Sequence, residues 1–317
     1  MDEGARYLND LTWAYRASRT LQVACLLKIF THLADEPADA RELAGRCKAP
    51  AEKLEKLMIA CCGIDLLHKE KGIYRNTELS DIYLVEGRPL YQGHIILHAL
   101  NVWDVWTELP SQLLNDPAAA LGSQQENFIL GMHNLTMGGR GELFLKAADL
   151  SGRRQLLDLG GGPGTYSVLA CQNYPELRST LLDLPETIAI AKPLIEKARL
   201  LDRITLREGS WDDDDYGGGF DAVLMSNILH GPESGAAAKL KKAYKAMAPG
   251  GLLIIQEFLL DDTKTGPAVP ALFNVMVGAY SRPELLAVLQ EAGFAEMQIT
   301  VRDDSIGSTW LTAAKAS

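Results

Sequence analysis

The sequence predicts an α/β protein: a mainly parallel sheet wound with helices, closed by an antiparallel C-terminal hairpin and carried behind a helical N-terminal region. Three observations predict it. Beyond Arg154, short β-rich runs alternate with amphipathic segments. A glycine-rich turn, "GGGPG" at residues 160–164, follows the first of those runs and precedes a helical pattern. Before residue 150 the apolar residues recur mostly at helical spacing, interrupted by one strand-turn-strand signal.

The first domain is placed at residues 1–100. Leu11 to Leu33 carries the helical spacing, and Ala38–Cys47 and Ala51–Leu67 read as two shorter helices around a Lys-Ala-Pro turn. "LLHKEKGIYRNTEL" then gives two short strands about a charged turn with Gly72. Three helices and a hairpin make a winged helix. Its third helix either contacts DNA or packs as an interface between copies. DNA contact needs a basic face, whereas Lys53 and Lys56 are balanced by Glu52 and Glu55 and the rest is apolar. The charge balance predicts the interface, hence a homodimer.

Residues 101–150 continue as a helical linker and substrate cap. His94 and His98 share one helix face, but no HExxH motif or third ligand accompanies them, so a structural role is expected over a metal site. Trp103 and Trp106, three apart, are expected in the core. Residues 151–317 supply "QLLDL", "STLLDL", "RITLREG", "DAVLMSN" and "GLLIIQEF", then the hairpin runs "EMQITVRDD" and "GSTWLTAAK". Ala222 to Ile228 is almost wholly apolar, as in a parallel strand covered on both faces.

Composition narrows the partners. The 317 residues are 47% hydrophobic and 23% charged, enough for a sizeable core. A net charge of −10 argues against a nucleic-acid partner, because phosphate binding rests on surplus Lys and Arg. No apolar run approaches the roughly 18 to 20 residues of a membrane span, and the acidic start "MDEGARYLND" is unlike a signal peptide, so a cytoplasmic location without a membrane partner is expected. Five cysteines without a CxxC pair predict buried free thiols, not disulfides or zinc ligands.

The chemistry centres on "LLDLGGGPGTYSVLA", where Gly160, Gly161, Gly162 and Gly164 let the backbone turn sharply and approach a ligand. Asp183, about 20 residues further on at the end of the next strand, is placed to accept ribose hydroxyls, as in dinucleotide folds. Asp158, in the strand just before the glycines, suits a positively charged ligand terminus better than a pyrophosphate.

Asp158-Leu-Gly-Gly-Gly-Pro-Gly, the "LLDLP" of residues 181–185, the strand ending in "SNILH" and the "APGG" of residues 248–251 resemble one family. It is the S-adenosylmethionine-dependent O-methyltransferases with an N-terminal winged-helix dimerisation domain, the plant caffeate and acetylserotonin type and their bacterial small-molecule counterparts. The resemblance covers nearly the whole chain. It implies a class I methyltransferase Rossmann-like sheet, S-adenosyl-L-methionine as cofactor and S-adenosyl-L-homocysteine as product. It implies methionine-moiety contacts at Gly160 and the neighbouring Gly161 and Gly162, ribose at Asp183 with Leu184 beside it, and adenine against Trp211. Ser210 and Ser226 fall at further cofactor positions, Met132 touches the reacting region, and Thr136 bonds the cofactor carboxylate. Met132 and Trp211 are also of the kind that fills a core. Phe128, Met132, Asn274 and Met276 are the candidates to grip an aromatic substrate.

Methyl transfer to a hydroxyl needs alignment and an ionised nucleophile, and a neutral imidazole in reach of a phenol can take its proton. His230, at a strand's carboxyl end, is the candidate base, and Glu257 at the end of the next strand is its candidate support. A strand-end histidine bonded to backbone is the alternative. Where relatives commonly have His-Asp-Trp, this chain has His230-Gly231-Pro232; Ser210 and Ser226 replace an Asp and a Lys, and Ala279 stands at a second glutamate position. Catalysis is thus expected to rest on a His–Glu pair. Asp212 to Asp215, before Tyr216 and three glycines, are expected in a solvated loop and not at magnesium. Competing readings are a cofactor-binding relative doing hydroxylation or decarboxylation, an N- or S-methyltransferase, and a cofactor-sensing winged-helix regulator.

Overall fold

A computed structural model describes residues 2–316. The chain divides into two compact units, one of residues 8–121 with 259–282, the other of residues up to Tyr7, 122–258 and from Pro283 onward.

The long N-terminal helical pattern is cut into Glu3–Trp13, Tyr15–Leu26 and Ile29–Asp35, the last two wholly in the first unit. Lys28 at φ 52° makes the second break, since a left-handed residue cannot continue an α-helix. Asp39 caps Ala40–Cys47 by accepting from Arg41 N and Glu42 N at 2.8 and 2.9 Å while Glu42 takes Asp39 N. The next helix, expected to reach Leu67, ends at Gly63, because Asp65 at φ 59° turns the chain into β1, Leu67–Glu70. β1 pairs antiparallel with β2, Ile73–Asn76.

Phe30, Leu43, Met58 and Tyr74 are fully buried and centre this unit's core. The apolar residues of Ala51–Gly63, assigned from sequence to an interface between copies, are buried inside the unit. One reason is the returning helix Ala268–Val277, which packs so closely that a Cβ on Gly63 would meet Ala271 Cβ at 2.5 Å. Trp106 is a correction: it is 72% exposed, not core. Trp103 and Trp106 share the short helix Trp103–Thr107, none of whose residues is buried. Four of the five free cysteines across the chain are buried, and no helix among the described residues is long and apolar enough to cross a membrane.

The second unit holds β3 (Gln155–Leu159), β4 (Arg178–Asp183), β5 (Ile204–Glu208), β6 (Phe220–Ser226), β7 (Met247–Glu257), β8 (Ala295–Asp303) and β9 (Ser308–Ala314) in the order β5-β4-β3-β6-β7-β9-β8. The first five are parallel, and β9 enters antiparallel between β7 and β8. This is the class I methyltransferase sheet, with the expected hairpin. Leu156, Leu157, Leu181, Leu224, Ile254 and Trp310 are fully buried, as strands covered on both faces require. Leu159 pairs with Leu182 on one side and Met225 on the other. The strand order reverses about β3, which opens a crevice at the carboxyl ends of β3, β4 and β6.

Candidate active site

The glycine turn grows out of β3. Gly160 takes φ 62°, and a Cβ there would lie 2.5 Å from the Trp211 ring, so the position demands both the left-handed backbone and the missing side chain. Gly161 is closed from below: a Cβ would meet Leu181 at 2.3 Å and Asp158 Cγ at 2.5 Å. Gly162 has open space where a side chain would stand. The turn is pinned by Gly160 N donating to Leu182 O at 2.8 Å and Gly162 N donating to Asp183 Oδ2 at 2.8 Å.

Both carboxylates of this end are buried. Asp183 Oδ1 accepts from Leu184 N at 2.8 Å, and burial raises its pKa while those N–H groups pull it back. Thr187 also bonds this carboxylate, which leaves it acceptor capacity for one further hydroxyl. Asp158 Oδ2 accepts from Ser167 Oγ at 2.6 Å, but Oδ1 is buried without a hydrogen-bond partner. Burial pushes Asp158 up to about 6. A buried acceptor left unpaired is costly, and a donor from a ligand or ordered water would satisfy it.

Gly209 N donates to Asp183 O at 2.9 Å, which brings Ser210 and Trp211 alongside that end. The acidic run is an exposed loop, as expected, and is held by its own hydrogen bonds: Asp214 accepts from Ser210 N at 2.7 Å and Asp215 from Gly217 N at 2.6 Å. Lys242 Nζ donates to Asp212 O and Asp214 O at 2.6 and 2.9 Å. Trp211 is half-buried, its Nε1 donating to Asp212 Oδ2 at 3.0 Å.

The other end belongs to β6 and β7. β6 stops at Ser226, short of His230, because Asn227 turns left-handed at φ 55°; its amide donates to Gln256 O at 2.8 Å. His230 therefore sits in the turn beyond the strand. Its Nδ1 lies 3.1 Å from Glu257 Oε2, and Glu257 Oε1 accepts from Leu229 N at 2.7 Å. The Glu257 side chain is 3% exposed and that of His230 25%. A carboxylate partner makes Nδ1 the donor and leaves Nε2 as the basic nitrogen. The imidazole stacks on Phe258 at 6.2 Å, and the buried Arg140 guanidinium lies 5.8 Å from the same ring.

Ser226 Oγ donates to Gln256 Oε1 at 2.7 Å. Thr136, buried at the start of a wide turn through Arg140, donates its hydroxyl to Met132 O at 2.9 Å. Phe128 is exposed and Met132 half-buried on the Gln124–Leu135 helix. Asn274 and Met276 belong to the other unit. There Asn274 is buried, its Oδ1 accepting from Ala279 N at 3.0 Å, and Met276 is exposed. Sequence reasoning missed Tyr166, buried beside Thr136 and Ser226, and His133, whose Nδ1 lies 2.8 Å from Thr165 Oγ1 at the helix after the glycines. It also missed Lys239, buried beneath the His230 turn. "FILGMHNLT" carried a signal for His133; nothing local marked the others.

These residues fit S-adenosylmethionine. The unpartnered Asp158 oxygen suits an ammonium or its water, Asp183 retains acceptor capacity for one further hydroxyl, Gly162 leaves room, and the Trp211 indole offers an apolar face. Comparison with known proteins agrees. An O-methyltransferase domain matches residues 123–295 and an O-methyltransferase dimerisation domain residues 9–86. The chain is 33% identical over 325 residues to 3-hydroxy-5-methyl-1-naphthoate 3-O-methyltransferase of Streptomyces sahachiroi, covering 96% of this chain and 94% of that protein. An O-methyltransferase family 2 protein of Planctomyces limnophilus in complex with apigenin superimposes with a TM-score of 0.79 at 25% identity, over 98% of this chain and 96% of that one. Human N-acetylserotonin methyltransferase in complex with SAM gives a TM-score of 0.55 at 25% identity, over 100% of this chain and 99% of that one. The chain belongs to the S-adenosylmethionine-dependent O-methyltransferases that carry an N-terminal dimerisation domain.

Proposed function

We propose that the enzyme methylates a phenolic hydroxyl of an aromatic small molecule, with His230 as general base held by Glu257. The observation that carries this reading is the 3.1 Å contact between His230 Nδ1 and Glu257 Oε2 at the carboxyl edge of the sheet. A phenol with a pKa of about 10 is mostly protonated at neutral pH. Nε2, with Nδ1–H committed to Glu257, takes that proton, and the buried carboxylate stabilises the imidazolium that forms. S-adenosylmethionine, when bound, supplies an electrophilic methyl group on its sulfonium. Asp158, the glycine turn, Asp183, Leu184, Ser210, Trp211, Ser226, Met132 and Thr136 bind and orient it; Phe128, Met132, Asn274 and Met276 hold the acceptor ring. Residues 1–100 serve as the dimerising domain of a homodimer, residues 101–150 as linker and cap, and residues 151–317, less the 259–282 segment that folds with the helical unit, as the cofactor-binding domain. Relatives that act on a naphthoate and on acetylserotonin, and a neighbour holding apigenin, support an aromatic acceptor.

A mass-spectrometric panel of 3-hydroxy-5-methyl-1-naphthoate, apigenin and N-acetylserotonin with S-adenosylmethionine is expected to show a gain of one methyl group on at least one phenol. His230→Ala is expected to lower turnover on that phenol by about 10²-fold or more, with S-adenosylhomocysteine affinity near wild type. Unchanged turnover at saturating substrate removes His230 as the base.

A further inference from the structure

The Lys239 side chain, 7% exposed, projects from the Ala236–Ala246 helix. Its ammonium donates to Ser234 O at 2.6 Å and to Ile228 O at 3.3 Å, so it straddles the turn that carries His230. Ser234 Oγ closes the same turn onto Leu229 O at 2.6 Å. From the sheet side, Glu257 grips Leu229 N and His230 Nδ1 at 2.7 and 3.1 Å. The Lys239 ammonium also lies 5.1 Å from the centre of the Trp211 ring and 3.8 Å from Asp212 Oδ1.

A charge this buried is expensive to desolvate and is held only where its donors are used. Here two go to carbonyls on either side of the turn. Gly231 and Pro232 bring little to hold it themselves: one has no side chain and the other no N–H. We propose that Lys239 is a positioning residue that clamps the 228–234 turn from the helix side against Glu257 on the sheet side. It thereby keeps the imidazole's Nδ1 on the carboxylate and ties the turn to the Trp211 loop. The proposal rests on the reading of His230 as the base.

The test is a double-mutant cycle with one readout independent of turnover. Lys239→Met is expected to lower kcat about 10-fold on the best phenol of the panel, with KM for S-adenosylmethionine changed by less than about threefold. The double variant with His230→Ala is expected to be no slower than His230→Ala alone, because the lysine acts through the histidine. In cofactor-free protein, imidazole 15N shifts are expected to report Nδ1–H and a bare Nε2 in wild type, and averaged tautomers in Lys239→Met. Lys239→Arg, which keeps charge and donors, recovers most of kcat. A Lys239→Met enzyme with wild-type kcat and ring shifts, or a loss that multiplies in full with that of His230→Ala, overturns the proposal. Should His230→Ala retain activity, the base reading fails, and the ring shifts still decide whether Lys239 positions the imidazole. Circular dichroism establishes that the variants fold; if Lys239→Met does not, Lys239→Gln, with one amide donor for Ser234 O, carries the same measurements.

Discussion

The two ends of the crevice are held by different kinds of contact. At the glycine end, carboxylates meet backbone N–H groups and neighbours close in the chain: Asp183 takes Leu184 N and Gly162 N, and Asp158 takes Ser167 Oγ. At the histidine end, side chains from separate elements meet: Glu257 of β7 holds Leu229 and His230, Lys239 reaches Ile228 O, and Gln256 joins Ser226 to Ser308. The first end is fixed wherever the strand-turn-helix forms. The second exists only once β6, β7, β9 and the Ala236–Ala246 helix are packed. Substitution should therefore break the glycine end by crowding and the histidine end by lost partners.

The sharpest test of that difference is Glu257→Gln. An amide in place of the carboxylate cannot serve both Leu229 N and His230 Nδ1–H as a charged acceptor. We expect kcat on a phenol to fall by about 10²-fold with cofactor KM little changed, checked by steady-state kinetics. Gly161→Ala attacks the other end by volume alone. A Cβ 2.3 Å from Leu181 must displace the β4 side chain, so unfolding in urea is expected to show a loss of about 2 kcal/mol, together with weaker S-adenosylhomocysteine binding by calorimetry.

The smallest effect is a pH dependence. Asp158 is raised to about 6 by burial, so the folded chain binds its proton more tightly than the unfolded chain does. Its contribution to stability is present at low pH and lost as pH rises from the ordinary carboxylate range through about 6. Asp158→Asn has no proton to lose. Relative to wild type, the variant should gain on the order of 1 kcal/mol in urea-unfolding free energy between pH 4 and pH 7. A difference that stays flat across this range would remove the buried charge as its cause.

The glycine end was legible because its information is short-range. One window contains β3, the glycines, the helix start and, one strand later, Asp183. His230 and Glu257 were legible as a pair because parallel neighbours β6 and β7 end together, so a strand-end reading placed both at one edge. Lys239 was not legible: on a helix it reads as one of several solvent-facing lysines, and nothing nearby announces that this one turns inward. The helix expected through Leu67 failed where Asp65 adopts a left-handed conformation, a backbone choice that Asp permits without announcing it. Trp106 failed for a related reason, since helical spacing predicts burial only where another element covers the stripe.

By itself the sequence determined the alternation of strands and helices, the parallel sheet with its C-terminal hairpin, the glycine turn and the acids beside it. These follow from side-chain periodicity, glycine stereochemistry and spacing within a few tens of residues. Tertiary structure alone decided that residues 259–282 return to the helical unit and cover Ala51–Gly63. It also decided that Asp158 keeps an unpartnered oxygen and that Lys239 and Glu257 grip one turn from opposite sides. Each of these depends on which atoms of distant segments come within a few ångströms of one another, a quantity that burial and packing set and local sequence does not.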